Sequence, residues 1–194
     1  MRRRELLLAL SALPIWSLSG PLSGADDKAS SADSDTYDQE SVLEAAVDFF
    51  GKGAEGLGKV IEKAFKDHGR PNAYVKGQEG GGAITVGLVY GSGELIPKAG
   101  GARHVWWHGP SIGFDFGGNA AKVFTLVYHL KKTGGLFQRF PAVDGSFYFI
   151  GGAGINYQQR SNIILAPIRL GVGMRAGASI GYIHYTPKKT INPF

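Results

Sequence analysis

No cysteine occurs among the 194 residues. That excludes disulfides, thiolate-ligated zinc, a thiol nucleophile and an acylated N-terminal cysteine. Long hydrophobic runs are missing as well. Apolar residues make up 43% of the sequence, enough for a core, but they never gather into a stretch of membrane-spanning length. Acids are scarce in one part of the chain. From residue 68 onward only Glu79, Glu94, Asp115 and Asp144 stand against 13 Lys and Arg, a net +9, whereas residues 26–67 hold eleven acids and five bases, a net −6. The basic part suits anionic partners such as lipid head groups, acidic glycans or nucleic acid. A solvated basic surface without a partner is the plainer alternative.

What is abundant is glycine, with 30 residues. In Ile112-Gly113-Phe114-Asp115-Phe116-Gly117 large apolar residues alternate with small or polar ones, the period of two that marks a strand. Glycine at alternate strand positions marks a bend, a bulge or close approach of another backbone. The same pattern returns near residues 87–93, 145–154 and 171–181. A chain that bends its strands on glycine so often curls a sheet, and a small closed barrel is the usual result. The expected fold is therefore mainly β, a small antiparallel β-barrel of roughly 8–10 Gly-rich strands with an N-terminal amphipathic helix docked on it. Nine strands are predicted, at 73–76, 83–90, 104–108, 111–116, 121–128, 145–150, 154–158, 163–170 and 179–185, in meander order, with Gly109-Pro110 as a turn.

Four segments follow from the composition. Residues 1–25 read as an export signal: Arg2-Arg3-Arg4, an apolar stretch over 6–18, then Ser23-Gly24-Ala25 before a cleavage point. The Sec and twin-arginine routes are both compatible with it. Residues 26–40 are polar and acidic, a flexible linker. Residues 41–69 predict a helical segment, opened by a Ser41/Glu44 capping box and carrying an apolar stripe of Val42, Ala46, Phe50, Leu57, Ile61, Ala64 and Phe65, with Gly51, Gly53, Gly56 and Gly58 as the places where it bends or breaks. Its acidic polar face favours docking on the barrel over lying on anionic lipid. Residues 70–194 form the barrel domain.

Catalytic constellations are thin. His104 and His108 stand four apart, about 13 Å along a strand, too far to share one ion. No metal or cofactor is expected. Asp115 and Asp144 are acids of the strand region, but Asp144-Gly145 is a hairpin-turn dipeptide and Asp115 reads as a lumen residue needing a basic partner. Gly91-Ser92-Gly93 is not a nucleophile elbow. The glycine clusters lack the strand–loop–helix setting of a phosphate loop. Basic residues are scattered rather than interleaved with rings along a groove, which argues against nucleic acid. What remains is a binding surface. Trp106, Trp107, Phe114 and Phe116 are its aromatic candidates, and Lys122, Arg139 and Arg169 could meet anionic head groups. In the alternative reading the same rings fill the core.

Tyr90-Gly91-Ser92-Gly93, the run from Trp107 to Gly118, and Arg139-Phe140-Pro141-Ala142-Val143-Asp144-Gly145-Ser146 together resemble the envelope integrity protein A family of alpha-proteobacteria. Ile168-Arg169-Leu170-Gly171-Val172-Gly173 and the closing Asn192-Pro193-Phe194 extend the match. The resemblance implies a periplasmic antiparallel barrel with an N-terminal helix, needed for envelope integrity and carrying no enzymatic activity. A weaker similarity joins Trp107, Pro110, Ile112, Gly113, Gly117 and Gly118 to the SYLF lipid-binding domain, whose basic N-terminal helix this chain does not match. The combined expectation is a non-enzymatic periplasmic protein, at most peripheral to the membrane, that binds a lipid, glycolipid or other amphiphile. The alternative is docking by its basic surface on lipopolysaccharide, peptidoglycan or an envelope assembly protein.

Overall fold

In the computed structural model the described residues are 35–51, 55–82, 86–112, 120–171 and 179–190. The expected leader at 1–25, most of the acidic linker, and Phe114, Asp115 and Phe116 lie outside them.

Two helices come first, α1 (Gln39–Phe50) and α2 (Leu57–His68). The predicted helical segment is thus two helices. Gly51 ends α1 at φ 91°, a conformation that favours glycine, and its N–H closes on the Val47 carbonyl. The start is also earlier than the capping box suggested. Asp38 is the cap: its carboxylate accepts from the Ser41 backbone N–H and from the Ser41 hydroxyl, both at 2.8 Å.

Among the described residues eleven strands follow: β1 (Ala73–Gly82), β2 (Val86–Pro97), β3 (Arg103–Ile112), β4 (Ala121–Tyr128), β5 (Arg139–Pro141), β6 (Tyr148–Ile150), β7 (Ala153–Ile155), β8 (Gln158–Arg160), β9 (Ile163–Leu170), β10 (Ser179–Ile180) and β11 (Tyr182–Thr186). All ladders are antiparallel, in the order β5-β11-β3-β2-β1-β4-β9-β7-β6, with β10 on β3 and β8 on β9. This is not the expected meander. β1 is central, with β2 and β4 on its two sides, and β11 returns to pair with β3. The sheet curls until β5 approaches β8, where an Ala142–Gln158 bridge and a 2.9 Å bond from the Val143 N–H to the Tyr157 carbonyl tie its ends. The result is the predicted mainly β, barrel-like architecture.

Gly109-Pro110 is not a turn but the middle of β3. Pro110 faces Leu88 of β2, and on its other side lies the gap between β11, which pairs with β3 as far as His108, and β10, whose Ile180 pairs with Ser111. A missing N–H costs no ladder bond at such a break.

The strands present two faces. Inward lie Val75, Leu95, Val105, Val123, Val127, Leu165 and Ile183, all buried. On the outward face of β4, β7 and β9, Phe124, Leu126, Ile155 and Ile168 are buried under Val42, Ala46, Val60, Ile61 and Ala64 of the helices. Each such side chain contributes roughly 1.5–3 kcal/mol by leaving water. Helix α2 lies close enough for the Gly56 N–H to donate to the Gly151 carbonyl at 3.1 Å, and a Cβ on Gly56 would collide with the Ile150 carbonyl. Among the described residues, the main helix contacts fall on β4, β6 and β7.

Candidate functional site

Neighbouring residues on β1, β2 and β3 point to opposite sides, so register assigns each one. Glu79, Gly91 and Trp107 stand opposite one another and face inward. Trp107 is buried, its ring lying across Gly91 so closely that a Cβ there would collide with it. Its indole N–H donates to Glu79 Oε2 at 3.2 Å. Arg169 of β9 reaches across β4 to the same carboxylate. Its Nε meets Oε1, and a second guanidinium nitrogen donates to Oε2 at 3.1 Å. The remaining arm donates to the Asn156 side-chain oxygen at 3.3 Å. Both charged side chains are almost wholly buried, at 3% and 0% exposure for Arg169 and Glu79, which makes this a bidentate ion pair inside the barrel. Nearby, Tyr185 is fully buried and burial pushes its hydroxyl far above the ordinary phenol range. At this level the inward face carries a hydrogen-bonded polar core built around a buried ion pair.

The outward rows differ. Gln78, Ser92 and Trp106 stand opposite one another, one residue displaced from the inward set. On one flank is the row of Gly80, Tyr90, His108 and His184, and on the other that of Lys76, Glu94 and His104. Over the first two rows lies an open cavity of about 520 Å³, lined by Gln78, Tyr90, Ser92 and Trp106, by parts of Glu79, Gly91 and Trp107, and by Lys189 beyond β11. Over the third lies a second, of about 650 Å³, between the sheet and α1, with Asp48 and Phe49 opposite Lys76, Glu94 and His104. His104 packs edge-on against Trp106 at 4.2 Å between ring centres. His108 packs edge-on against His184 at 5.0 Å. Burial holds both of those imidazoles below the usual histidine range; His184 and Arg139 add to the effect on His108, and Arg139 and Arg160 to that on His184.

Trp106 and Trp107, adjacent in sequence, are therefore separated: one lines the outer groove and the other fills the lumen. Lys122 meets the end of a helix. Its ammonium donates to the Phe49 carbonyl at 2.6 Å and lies over the Phe49 ring, so it binds the C-terminal end of α1, where the helix dipole favours a cation. Arg139 is exposed and stacks over the Tyr182 ring at 5.0 Å. Arg169, expected at a head group, is buried against Glu79. His104 and His108 lie two rows apart, each with a different aromatic partner. Phe114 and Phe116 are outside the described residues.

The model of the envelope integrity protein A family matches residues 35–194. The chain belongs to that family. Membership carries a role in envelope integrity. A crystal structure described as a beta-barrel-like, uncharacterized protein from Brucella abortus is 45% identical, covers 82% of this chain and 99% of that one, and superposes with a TM-score of 0.77. A search of curated proteins finds no match. Neither finding attaches a catalytic assignment to the family.

The residues that sequence reasoning missed are Glu79 as an ion-pair partner, and Gln78, Tyr90 and Ser92 as groove residues. A signal for the first existed. Arg169 is the lone charge in the apolar run 163–170, and a charge inside a two-sided buried strand has to find a partner of opposite sign.

Proposed function

We propose that the protein is exported to the periplasm and supports the envelope without catalysis, by binding an envelope component on the outward face of β1–β3. The supporting observation is the contrast within one set of strands. The inward row is filled by Trp107 and the Glu79–Arg169 pair, whereas the outward row opens on a cavity beside Trp106. A lipid chain in the lumen at this level, the use first suggested by the aromatic content and by the SYLF similarity, would have to displace Trp107 from Glu79. A ligand outside displaces nothing of the core. The basic balance of residues 68–194 fits docking near anionic envelope polymers.

The test is complementation of a strain lacking the protein, challenged with a membrane-active detergent. Trp106→Ala is expected to keep the wild-type melting temperature within a few degrees and to lose protection. Asp115→Asn and Asp144→Asn are expected to protect fully, as a non-enzymatic role requires. If folded Trp106→Ala protects as well as wild type, the outward-face reading is wrong.

A further inference from the structure

We infer that the outward groove binds an extended glycan chain of neutral or amino-sugar units, with Trp106 and Tyr90 as stacking platforms and Gln78 and Ser92 as hydrogen-bonding partners. The inference rests on the outward-face reading above and adds the ligand's chemistry.

Shape comes first. The two cavities follow one another along the same face, over rows that run from Gly80 to Lys76 on β1, a length of roughly 13 Å at strand rise. A groove of that form takes a chain better than a single compact molecule.

The lining decides among the chains. An acyl chain needs continuous apolar walls, but this floor carries Gln78, Ser92 and the Lys76–Glu94 ion pair at 3.9 Å. Covering those groups with hydrocarbon would remove their water and return no hydrogen bonds. A phosphate-rich ligand needs a local excess of cations. Here Lys76 and Lys189 are offset by Asp48 and Glu94, so the groove is electrically balanced although the surrounding region is basic. A sugar ring presents an apolar C–H face and a rim of hydroxyls. Half-buried Trp106 and exposed Tyr90 provide flat apolar surface for the face. The Gln78 amide can both donate and accept, as can the Ser92 hydroxyl, which matches hydroxyl rims of either polarity. His104, packed edge-on against Trp106, fixes that ring and lowers the entropy lost on binding.

The experiment uses the exported protein purified without detergent and titrated calorimetrically with three probes. They are peptide-free glycan strands from peptidoglycan, O-polysaccharide freed of its lipid, and vesicles of phosphatidylethanolamine and phosphatidylglycerol. Saturable binding to one of the two glycans, with little change as salt is raised, is expected, and the glycan that binds identifies the source. Trp106→Ala should weaken binding about tenfold or more, Trp106→Phe should retain part of it, and Gln78→Leu should weaken it several-fold. Silence with both glycans overturns the inference, as does equal binding by Trp106→Ala and wild type. Binding to vesicles alone also overturns it and makes the face a lipid surface. If no glycan binds while folded Trp106→Ala still loses envelope protection, the glycan inference falls and the outward-face function stands. If that variant keeps protection, both fall.

Discussion

Gln78, Ser92 and Trp106 differ from Glu79, Gly91 and Trp107 by one residue of register, yet the two sets live in different media. The inward set is sealed. Its indole N–H, carboxylate and guanidinium satisfy one another, and the three side chains are buried. The outward set is half-covered and meets a cavity. The period of two thus places a structural core and a candidate binding surface back to back on the same three strands. Glycine makes this possible. With no side chain at Gly91, the Trp107 ring lies flat on β2, and the indole enters the lumen without pushing the sheet open.

The sharpest way to break this contrast is to remove one member of the inward pair. Glu79→Ala removes the carboxylate that pairs with the buried Arg169 guanidinium, and should cost about 3–5 kcal/mol. Denaturant midpoints of the purified variant would show it. The double variant Glu79→Leu/Arg169→Met should recover most of that loss, because a buried pair exchanged for apolar groups of similar volume is often near neutral. If Glu79→Ala costs less than about 1 kcal/mol, the lumen is wetter than a packed core allows.

Part of this was legible in the sequence. The strands at 121–128 and 163–170 match β4 and β9 end to end, because both are buried on two faces and read as unbroken apolar runs between turn residues. Strand β3 was read as two, since Gly-Pro is a turn dipeptide unless the ladder on one side happens to be interrupted there, which only the pairing of β10 and β11 reveals. The glycines at 51–58 mark a bend or a break in the helical segment, and the apolar stripe that continues across Gly51 hides which of the two it is. The candidate site was half legible. Aromatic content marked Trp106 and Trp107 together, but which of the two faces outward depends on the phase of β3 against β2. The sequence offers Lys122 and Arg169 for anionic head groups because their partners, the Phe49 carbonyl and Glu79, stand 73 and 90 residues away.

A smaller effect should separate the faces by pH. His108 and His184 belong to the outward row, and burial lowers both below the ordinary value, as it does His68 at the end of α2. A histidine with a depressed folded value binds its proton more readily when unfolded. Stability is therefore whole above about pH 6.5 and falls as pH drops from there through the folded values. Loss of the stabilised Asp38 and Asp67 carboxylates adds to this only further down, below the usual carboxylate range. Thermal melts between neutral and mildly acidic pH should fall by a few degrees, and His108→Gln combined with His184→Gln should flatten part of that slope. An unchanged slope in the double variant would assign the whole effect to His68 and leave the outward row electrostatically passive.

The smallest expected effect lies at the border between the covered and open parts of the outward face. Lys122 stands opposite Gln78 on β4, but its ammonium is committed to the Phe49 carbonyl near the end of α1. Lys122→Met removes an exposed charge-assisted bond and should cost only about 0.5–1 kcal/mol. The consequence should be local. Phe49 and Asp48 form the helix-side wall of the second cavity, so fraying there loosens one side of the groove without touching Trp106. Hydrogen exchange should speed up in the last turn of α1 while β1–β3 stay protected. Glycan affinity should fall by a factor of a few, less than for Trp106→Ala. If exchange accelerates and affinity is unchanged, the wall is dispensable and the binding surface shrinks to the rows of Trp106 and Tyr90.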